Sequence, residues 1–450
     1  MMVSFKTPMS ALGLPQSSLH AAEEQRTREK RQRRQRMTLF AGVICVLFIL
    51  NELIAFGPRI GGTTETIQTA GRPELEGQTL QGASTLPVGS NTRQNRTRSE
   101  EVVGFRNEKK IAVLLTSVGD TERCARTLAA ARDLAFLSTR IYFRVFEELS
   151  AVDEESCLQL FKTLCPREYA KMVRTKQLRF VRRDASGAMG PSVSKHIVEG
   201  LVEDKLFQDE FYLSVDANTV FTKHWDLELL KQWYLIGNTH AILSVSPPPI
   251  EFRGLSNNTL FVQCSARIQS TDPDAIVAFN PPEPRVQSRR VHGPVLHTQY
   301  SELFHFGTVS SLQTVRSDPY LSHLTVGHEY MRATRFWTHG FDFYTPSKHV
   351  LYRRYEEPMT IQEVGRNDAE TQRASRRIRR LLGLTVSFSG EALEEVATYS
   401  AGAQRSLTKW RQFSGIDPSA SYNESTTNQF VVCGRRLHYV HYAPATPLTP

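Results

Sequence analysis

The stretch Glu210-Phe211-Tyr212-Leu213-Ser214-Val215-Asp216-Ala217-Asn218-Thr219-Val220-Phe221 decides the fold. Residues 210–215 read as a buried strand, Asp216-Ala217-Asn218 ends it, and Thr219-Val220-Phe221 resumes the apolar pattern. Upstream, 111–115, 141–146 and 178–181 read as further short apolar strands, and 121–136 reads as a helix with Leu128, Ala131, Leu134 and Ala135 on one face. Strands alternating with helices predict an α/β domain. Its mainly parallel sheet is covered on both faces and presents ligand sites at the strands' carboxyl ends. Asp216 stands at such an end, and Asn218, two residues on, leaves the same face. Two oxygen donors so placed suit a divalent cation gripping a nucleotide diphosphate; the plain alternative is an acidic turn after a strand.

The chain has 450 residues, 40% apolar and 22% charged, with 24 Phe and 14 Tyr, enough for a sizeable core and unlike a disordered chain. Its net charge of +9 is unevenly spread. Residues 1–36 hold eight Lys and Arg against Glu23, Glu24 and Glu29, so over half the excess sits in one tail. A nucleic-acid coat is not required to explain the rest. Residues 37–50 carry no charge and the apolar run resumes at 53–56, long enough for a tilted helix across roughly 30 Å of hydrocarbon. The basic tail before it predicts an uncleaved signal anchor over 37–57 with the N-terminus cytosolic. The rest is then lumenal: a single-pass type II membrane protein.

Residues 58–104 are rich in Gly, Thr, Ser, Gln and Arg without apolar period, a flexible stem. Sequons at Asn95, Asn257 and Asn423 suit a glycoprotein but occur often by chance. Beyond Cys45 in the apolar segment, Cys124, Cys157, Cys165, Cys264 and Cys433 are odd in number, so at least one thiol stays free or pairs between chains. Their spacing does not suggest zinc.

In order and spacing, Gly187-Ala188-Met189-Gly190-Pro191-Ser192-Val193-Ser194-Lys195, the segment ending in Asp216-Ala217-Asn218, and Trp225-Asp226 resemble the polypeptide alpha-N-acetylglucosaminyltransferase family. Further matches are Ser317-Asp318-Pro319-Tyr320-Leu321, Gly327-His328-Glu329, and Arg335-Phe336-Trp337-Thr338-His339-Gly340-Phe341-Asp342-Phe343-Tyr344-Thr345-Pro346. Gln404-Arg405-Ser406-Leu407 and Phe413-Ser414-Gly415-Ile416-Asp417 complete the resemblance, which covers about 108–420. It implies a GT-A-type nucleotide-sugar fold over 105–360, with 361–450 a helical C-terminal extension. It further implies transfer of a sugar, commonly N-acetylglucosamine, from a UDP-sugar to a protein or glycopeptide hydroxyl (Ser, Thr or hydroxyproline), with retention of configuration; joined to the signal anchor, the expectation is an enzyme of the Golgi membrane.

Such enzymes usually hold Mn²⁺ through an Asp-x-His motif, because the departing diphosphate gains charge that a cation must offset. By position, the resemblance implies Asp216 and Asn218 as the metal motif, with Asp216 alternatively a ribose and sugar contact. It implies Glu329 at the acceptor or donor sugar, and Ser117 and Asp120 at the uridine. Lys195 replaces the family's Arg near the donor. The family's two imidazoles are missing: Asn218 stands for one, and Arg353-Arg354-Tyr355 stands where the later His-x-Tyr aligns. Gly119 replaces an Arg. Two readings follow. In the first, Arg353 or Arg354 supplies the positive charge in place of a metal; in the second, the lumenal domain is a catalytically inactive binding partner.

Other candidates have plainer readings. His339, between a Trp and a Phe, reads as structural rather than acceptor-contacting; His224 reads as exposed or packing. His328 and Glu329 are adjacent on a helix and face apart. The basic run 373–380 reads as a solvated helix face that could alternatively dock an acidic acceptor or a membrane. Pro247-Pro248-Pro249 and Pro281-Pro282 bracket a loop-rich insertion, 247–300, bordering the acceptor cleft.

Overall fold

The buried apolar run that begins the folded chain forms β1 (Ile111–Val118), and Gly119 turns it with φ +63° into α1 (Thr121–Asp133). That left-handed conformation is one glycine adopts without steric cost. Asp120 caps α1 by accepting the Arg123 backbone N–H at 3.3 Å. The helix stops short of 136 because buried Asp226 collects the backbone N–H groups of Phe136 and Leu137, at 2.5 and 3.2 Å.

The computed structural model describes residues 109–149, 155–254, 259–269, 274–286, 293–355, 368–386, 393–420, 433 and 437–441, all within one unit, 88–450. The basic tail, the apolar segment 37–57, the stem and the three sequon asparagines lie outside these residues. No helix among the described residues is long and apolar enough to cross a membrane.

The chain continues through β2 (Ile141–Leu149), α2 (Cys157–Leu164), α3 (Pro166–Arg174), β3 (Leu178–Asp184), α4 (Pro191–Glu199), β4 (Phe211–Asp216), β5 (Thr219–Phe221), α5 (Trp225–Ile236) and β6 (Ala241–Ser244). Four short strands then form the insertion, β7 (Thr259–Val262), β8 (Ala266–Ile268), β9 (Val277–Phe279) and β10 (Glu283–Val286). They are followed by β11 (Val295–His297), β12 (His305–Thr308), α6 (Val309–Thr314), α7 (His328–Thr338), β13 (Asp342–Thr345) and β14 (Leu351–Arg353). Three helices close the described chain: α8 (Asp368–Leu381), α9 (Val396–Tyr399) and α10 (Leu407–Ser414).

The central sheet has eight strands in the order β11-β13-β6-β12-β4-β1-β2-β3. β4, β1, β2 and β3 run parallel, β12 is inserted antiparallel between β4 and β6, and β11 lies antiparallel at one edge. The fold is thus mixed α/β, with a parallel half that carries the site. The insertion is more ordered than its proline content predicts: β7 pairs β10, β8 pairs β9, and a disulfide ties Cys264 to Cys433. A second disulfide, Cys124–Cys157, joins α1 to α2, while Cys165 makes none.

Three hydrophobic clusters pack against the sheet among the described residues, and two of them are large. One lies under β1, β4 and α1, and includes Leu115, Val215, Phe221 and Trp225. The other surrounds α7 and takes in residues from the chain's last third, Ile378, Trp410, Phe413 and Ile416. Trp337 is fully buried there, its ring 5.4 Å from that of Trp410 and 5.3 Å from that of Phe413. The Arg405 guanidinium lies 4.6 Å over the Trp337 ring and forms a buried ion pair with Asp342 at 2.9 Å. Two of the motifs quoted above are therefore two sides of one packing contact. His339 belongs to it, its Nδ1 2.7 Å from the carbonyl of Arg335. His224 caps nothing with its side chain and packs edge-on against Phe136.

The run 373–380 departs from a solvated face. Arg377 is buried and paired with Asp318 at 2.8 Å, Arg376 meets Asp274 at 2.7 Å, and Arg379 donates to the carbonyl of Ala275. Acids from distant segments thus turn Arg376 and Arg377 inward, while Arg373 is partly exposed and Arg380 exposed.

Candidate functional site at the carboxyl end of β4

β1 and β4 pair in parallel with Thr116 opposite Asp216, so the loop after β1 and the Asp216 carboxylate reach the same end of the sheet. β5 returns at once and pairs antiparallel with β14, Thr219 opposite Arg353. That register carries Arg353 across the chain to Asp216: its Nε and Nη2 lie 2.9 and 2.8 Å from Asp216 Oδ2. Asp216 Oδ1 accepts the backbone N–H of Asn218 at 3.0 Å and the Thr219 hydroxyl at 3.3 Å. Of the two arginines weighed from the sequence, Arg353 makes this contact; Arg354 offers its backbone N–H to the carbonyl of Asn218.

The proline triplet has a partner in this site. Arg353 donates its backbone N–H to Pro248, the Tyr355 hydroxyl donates to the Pro247 carbonyl at 2.7 Å, and the Arg353 guanidinium stands 4.7 Å over the Tyr355 ring. Burial pushes the Tyr355 phenol up to about 12, so it remains a donor.

A second arginine, which the sequence did not single out, enters from α1. Arg123 donates from Nη1 to Asn218 Oδ1 at 2.8 Å, and its Nε meets Asp120 Oδ2 at 2.6 Å. The signal for it is the Asp120-x-x-Arg123 spacing, which puts the pair on one face of the first helical turn. Its reach to Asn218 depends on how α1 packs over β4, which spacing does not reveal.

The oxygen pair that the resemblance implies for Mn²⁺ is thereby engaged. Asp216 Oδ2 and Asn218 Oδ1 each already accept from a guanidinium, that of Arg353 on the one and of Arg123 on the other. Two like unit charges 4 Å apart repel by roughly 4 kcal/mol at an effective dielectric constant of 20, and a divalent ion doubles this for each guanidinium. With both oxygens held by guanidinium groups, the residues as they stand do not fit a divalent cation. Among the described residues there is also no cluster of three or more His, Cys, Asp or Glu side chains that could hold a metal.

Lys195 and Ser117 sit lower than expected. The Lys195 ammonium, 5% exposed, donates to Ser214 Oγ at 2.8 Å and to the carbonyl of Val215 at 3.0 Å. It buttresses the end of β4 beneath Asp216 instead of facing outward, and burial lowers its pKa. The buried Ser117 hydroxyl donates to the carbonyl of Asp120 and so shapes the loop after β1.

Glu329 opens α7 after Gly327, which adopts φ +85° with Ile276 packed so tightly that an added Cβ would stand 2.4 Å from its Cδ1. Glu329 Oε1 accepts from the backbone N–H of Glu302 at 2.8 Å and from the Ser301 hydroxyl at 3.2 Å. Burial pushes its carboxyl up to about 7, with nearby Glu302 adding to the rise. Behind it lies a buried ion cluster the sequence did not disclose: Arg332 pairs with Glu199 at 2.7 Å and Glu302 at 3.1 Å. Burial alone would raise Glu302, but the Arg332 guanidinium overrides it and holds that carboxyl well below the usual range. His328 is buried beside this cluster, and burial lowers its pKa.

The family model for glycosyltransferase (GlcNAc) matches residues 84–420. No curated protein matches the sequence. Among solved structures, the chain is similar to GalNAc-T7 with UDP, GalNAc and Mn²⁺, at TM-score 0.40 and 9% identity, over 61% of this chain and 48% of that one. It is also similar to S. aureus TarS 1–349 in complex with UDP-GlcNAc, at TM-score 0.36 and 15% identity, over 62% of this chain and 68% of that one. The chain thus spans about half the length of the GalNAc-T7 structure it matches.

Proposed function

The chain belongs to the glycosyltransferase (GlcNAc) family, and we propose that it transfers N-acetylglucosamine from UDP-N-acetylglucosamine to a protein hydroxyl, on Ser, Thr or hydroxyproline, with retention of configuration. What supports this reading is the family match over 84–420 together with the Asp216–Arg353 contact at the carboxyl end of β4, held by the β5–β14 register beside the parallel half of the sheet. The loop after β1, with Ser117 and Asp120, borders the place for the uridine. Asp216 stands where the ribose and donor sugar meet the diphosphate, and Arg353 offsets the charge that gathers as the glycosidic bond stretches. Glu329, able to carry a proton near neutrality, faces the sugar or the acceptor hydroxyl. Lys195 keeps Asp216 in place from below.

The same reading places the chain in the Golgi membrane as a single-pass type II protein anchored by 37–57, its C-terminal domain lumenal. Two disulfides support an oxidising compartment. Protease treatment of intact vesicles tests the topology: a C-terminal tag that is digested would overturn it.

The activity is tested by release of UDP from UDP-N-acetylglucosamine and other UDP-sugars by the purified full chain, with peptide acceptors bearing hydroxyls. Turnover with one donor that disappears in Asp216→Ala supports the transferase; UDP binding without turnover of any donor would make the domain a binding partner.

A further inference from the structure

We infer that two arginines, Arg353 and Arg123, form a diphosphate clamp that takes over the divalent cation's position, so that this chain binds its sugar nucleotide without a metal. The inference rests on the sugar-nucleotide reading above and concerns how that same site holds the anion.

The two guanidinium groups reach Asp216-Ala217-Asn218 from two different elements. Arg353 comes from β14 and grips the Asp216 carboxylate; Arg123 comes from α1 and grips the Asn218 amide. Each sits against the side chain that would otherwise ligate the cation. Arg353 sends two of its donors to a single carboxylate oxygen, and its Nη1 makes no hydrogen bond among the described residues. Its side chain is 14% exposed, enough to meet a ligand without leaving the Tyr355 ring that supports it. Arg123 is held in the same half-open state, 25% exposed, by Asp120.

A guanidinium suits this task because its fixed fork matches two phosphate oxygens at once, whereas an ammonium acts as a point charge. Both arginines are already paired with acids, so the resting site is close to neutral. An arriving diphosphate competes for the forks, and as Arg353 turns to it, Asp216 Oδ2 is released to accept from sugar or ribose hydroxyls. Charge compensation and sugar recognition are in this way exchanged on one carboxylate. The anchors that keep the clamp in register are covalent and backbone-level: the Cys124–Cys157 disulfide adjoins Arg123, and the Pro248 carbonyl holds the backbone of Arg353.

Calorimetric titration of the full chain with UDP tests this, in EDTA and again in Mn²⁺. The expected result is the same affinity within about twofold in both buffers, with losses of tenfold or more in Arg353→Gln and in Arg123→Gln. Arg353→Lys, which keeps the charge and loses the fork, should fall between wild type and Arg353→Gln. Thermal melting of each variant in the absence of ligand separates lost binding from lost folding, and Arg123→Gln alone carries the test if Arg353→Gln does not fold. UDP affinity that rises tenfold or more with Mn²⁺, or metal-independent affinity untouched by either substitution in a folded variant, would overturn the clamp and leave the transferase reading standing. Absence of UDP binding in both buffers would instead overturn the sugar-nucleotide reading itself, and the clamp with it.

Discussion

Arg353 directs Nε and Nη2 at one oxygen of Asp216, while the other oxygen is left to Asn218 N and Thr219 Oγ1. The carboxylate is thus divided between holding its own loop and restraining a cation. Asp216→Ala removes both functions, yet it also frees the guanidinium. Turnover of the donor is expected to fall at least tenfold while UDP binding persists or tightens. Parallel measurement of UDP release and of UDP affinity checks this, since loss of both together would mean that the loop had collapsed.

Glu329 provides a pH dependence of stability with a definite sign. Its carboxyl, ordinarily near 4.5, is raised by burial to about 7 in the folded chain. The folded chain therefore holds this proton more tightly than the unfolded chain does. The stabilisation is complete below about pH 4.5 and is lost as pH rises through 7. Glu329→Gln keeps an acceptor for Ser301 and Glu302 and removes the titration, so its melting temperature should exceed that of wild type at pH 8 and lose this advantage by pH 5.

Gly327→Ala should destabilise the fold by about 1–3 kcal/mol in denaturant titration, from an unfavourable φ and a collision with Ile276. Pairing it with Ile276→Ala removes the collision but not the backbone strain. The two costs should be less than additive.

The buried Arg405–Asp342 pair predicts an asymmetry. Arg405→Ala alone strands a carboxylate whose pKa burial already raises, at a cost of about 3–5 kcal/mol. Asp342→Asn added to Arg405→Met should recover much of that loss, measured as the denaturation midpoint of the double variant against each single one.

Peptide mapping without reduction should recover Cys124 linked to Cys157 and Cys264 linked to Cys433, with Cys165 taking an alkylating label. Chain-entropy arguments give about 5 kcal/mol for the longer bridge, so Cys433→Ser should lower the melting temperature markedly.

The parallel half of the sheet was legible because its strands are contiguous apolar runs, each ending near a turn residue. Asp216 was legible for the same reason: it follows the strongest of those runs. Arg353 could be aligned with a motif but not placed, because the strand that delivers it spans only Leu351–Arg353 and carries no period to read. Arg123 had a local signal, its spacing from Asp120, whereas its contact with Asn218 joins segments 95 residues apart. The insertion looked like loop because proline marks breaks more loudly than short ribbons mark order. The basic run looked solvated because the acids that neutralise it, Asp274 and Asp318, lie far off in the chain.

The stacking of Trp337 on Trp410 and Phe413 sets an order of events while the chain is being made. At typical synthesis rates of about 5–20 residues per second, Trp410 leaves the ribosome several seconds after Trp337. During that interval the nascent chain holds most of its central sheet but exposes one of its largest aromatic surfaces. The helix that carries Trp410 therefore closes the second core on delivery, and a chain that ends before it carries an open apolar face for quality-control factors to recognise.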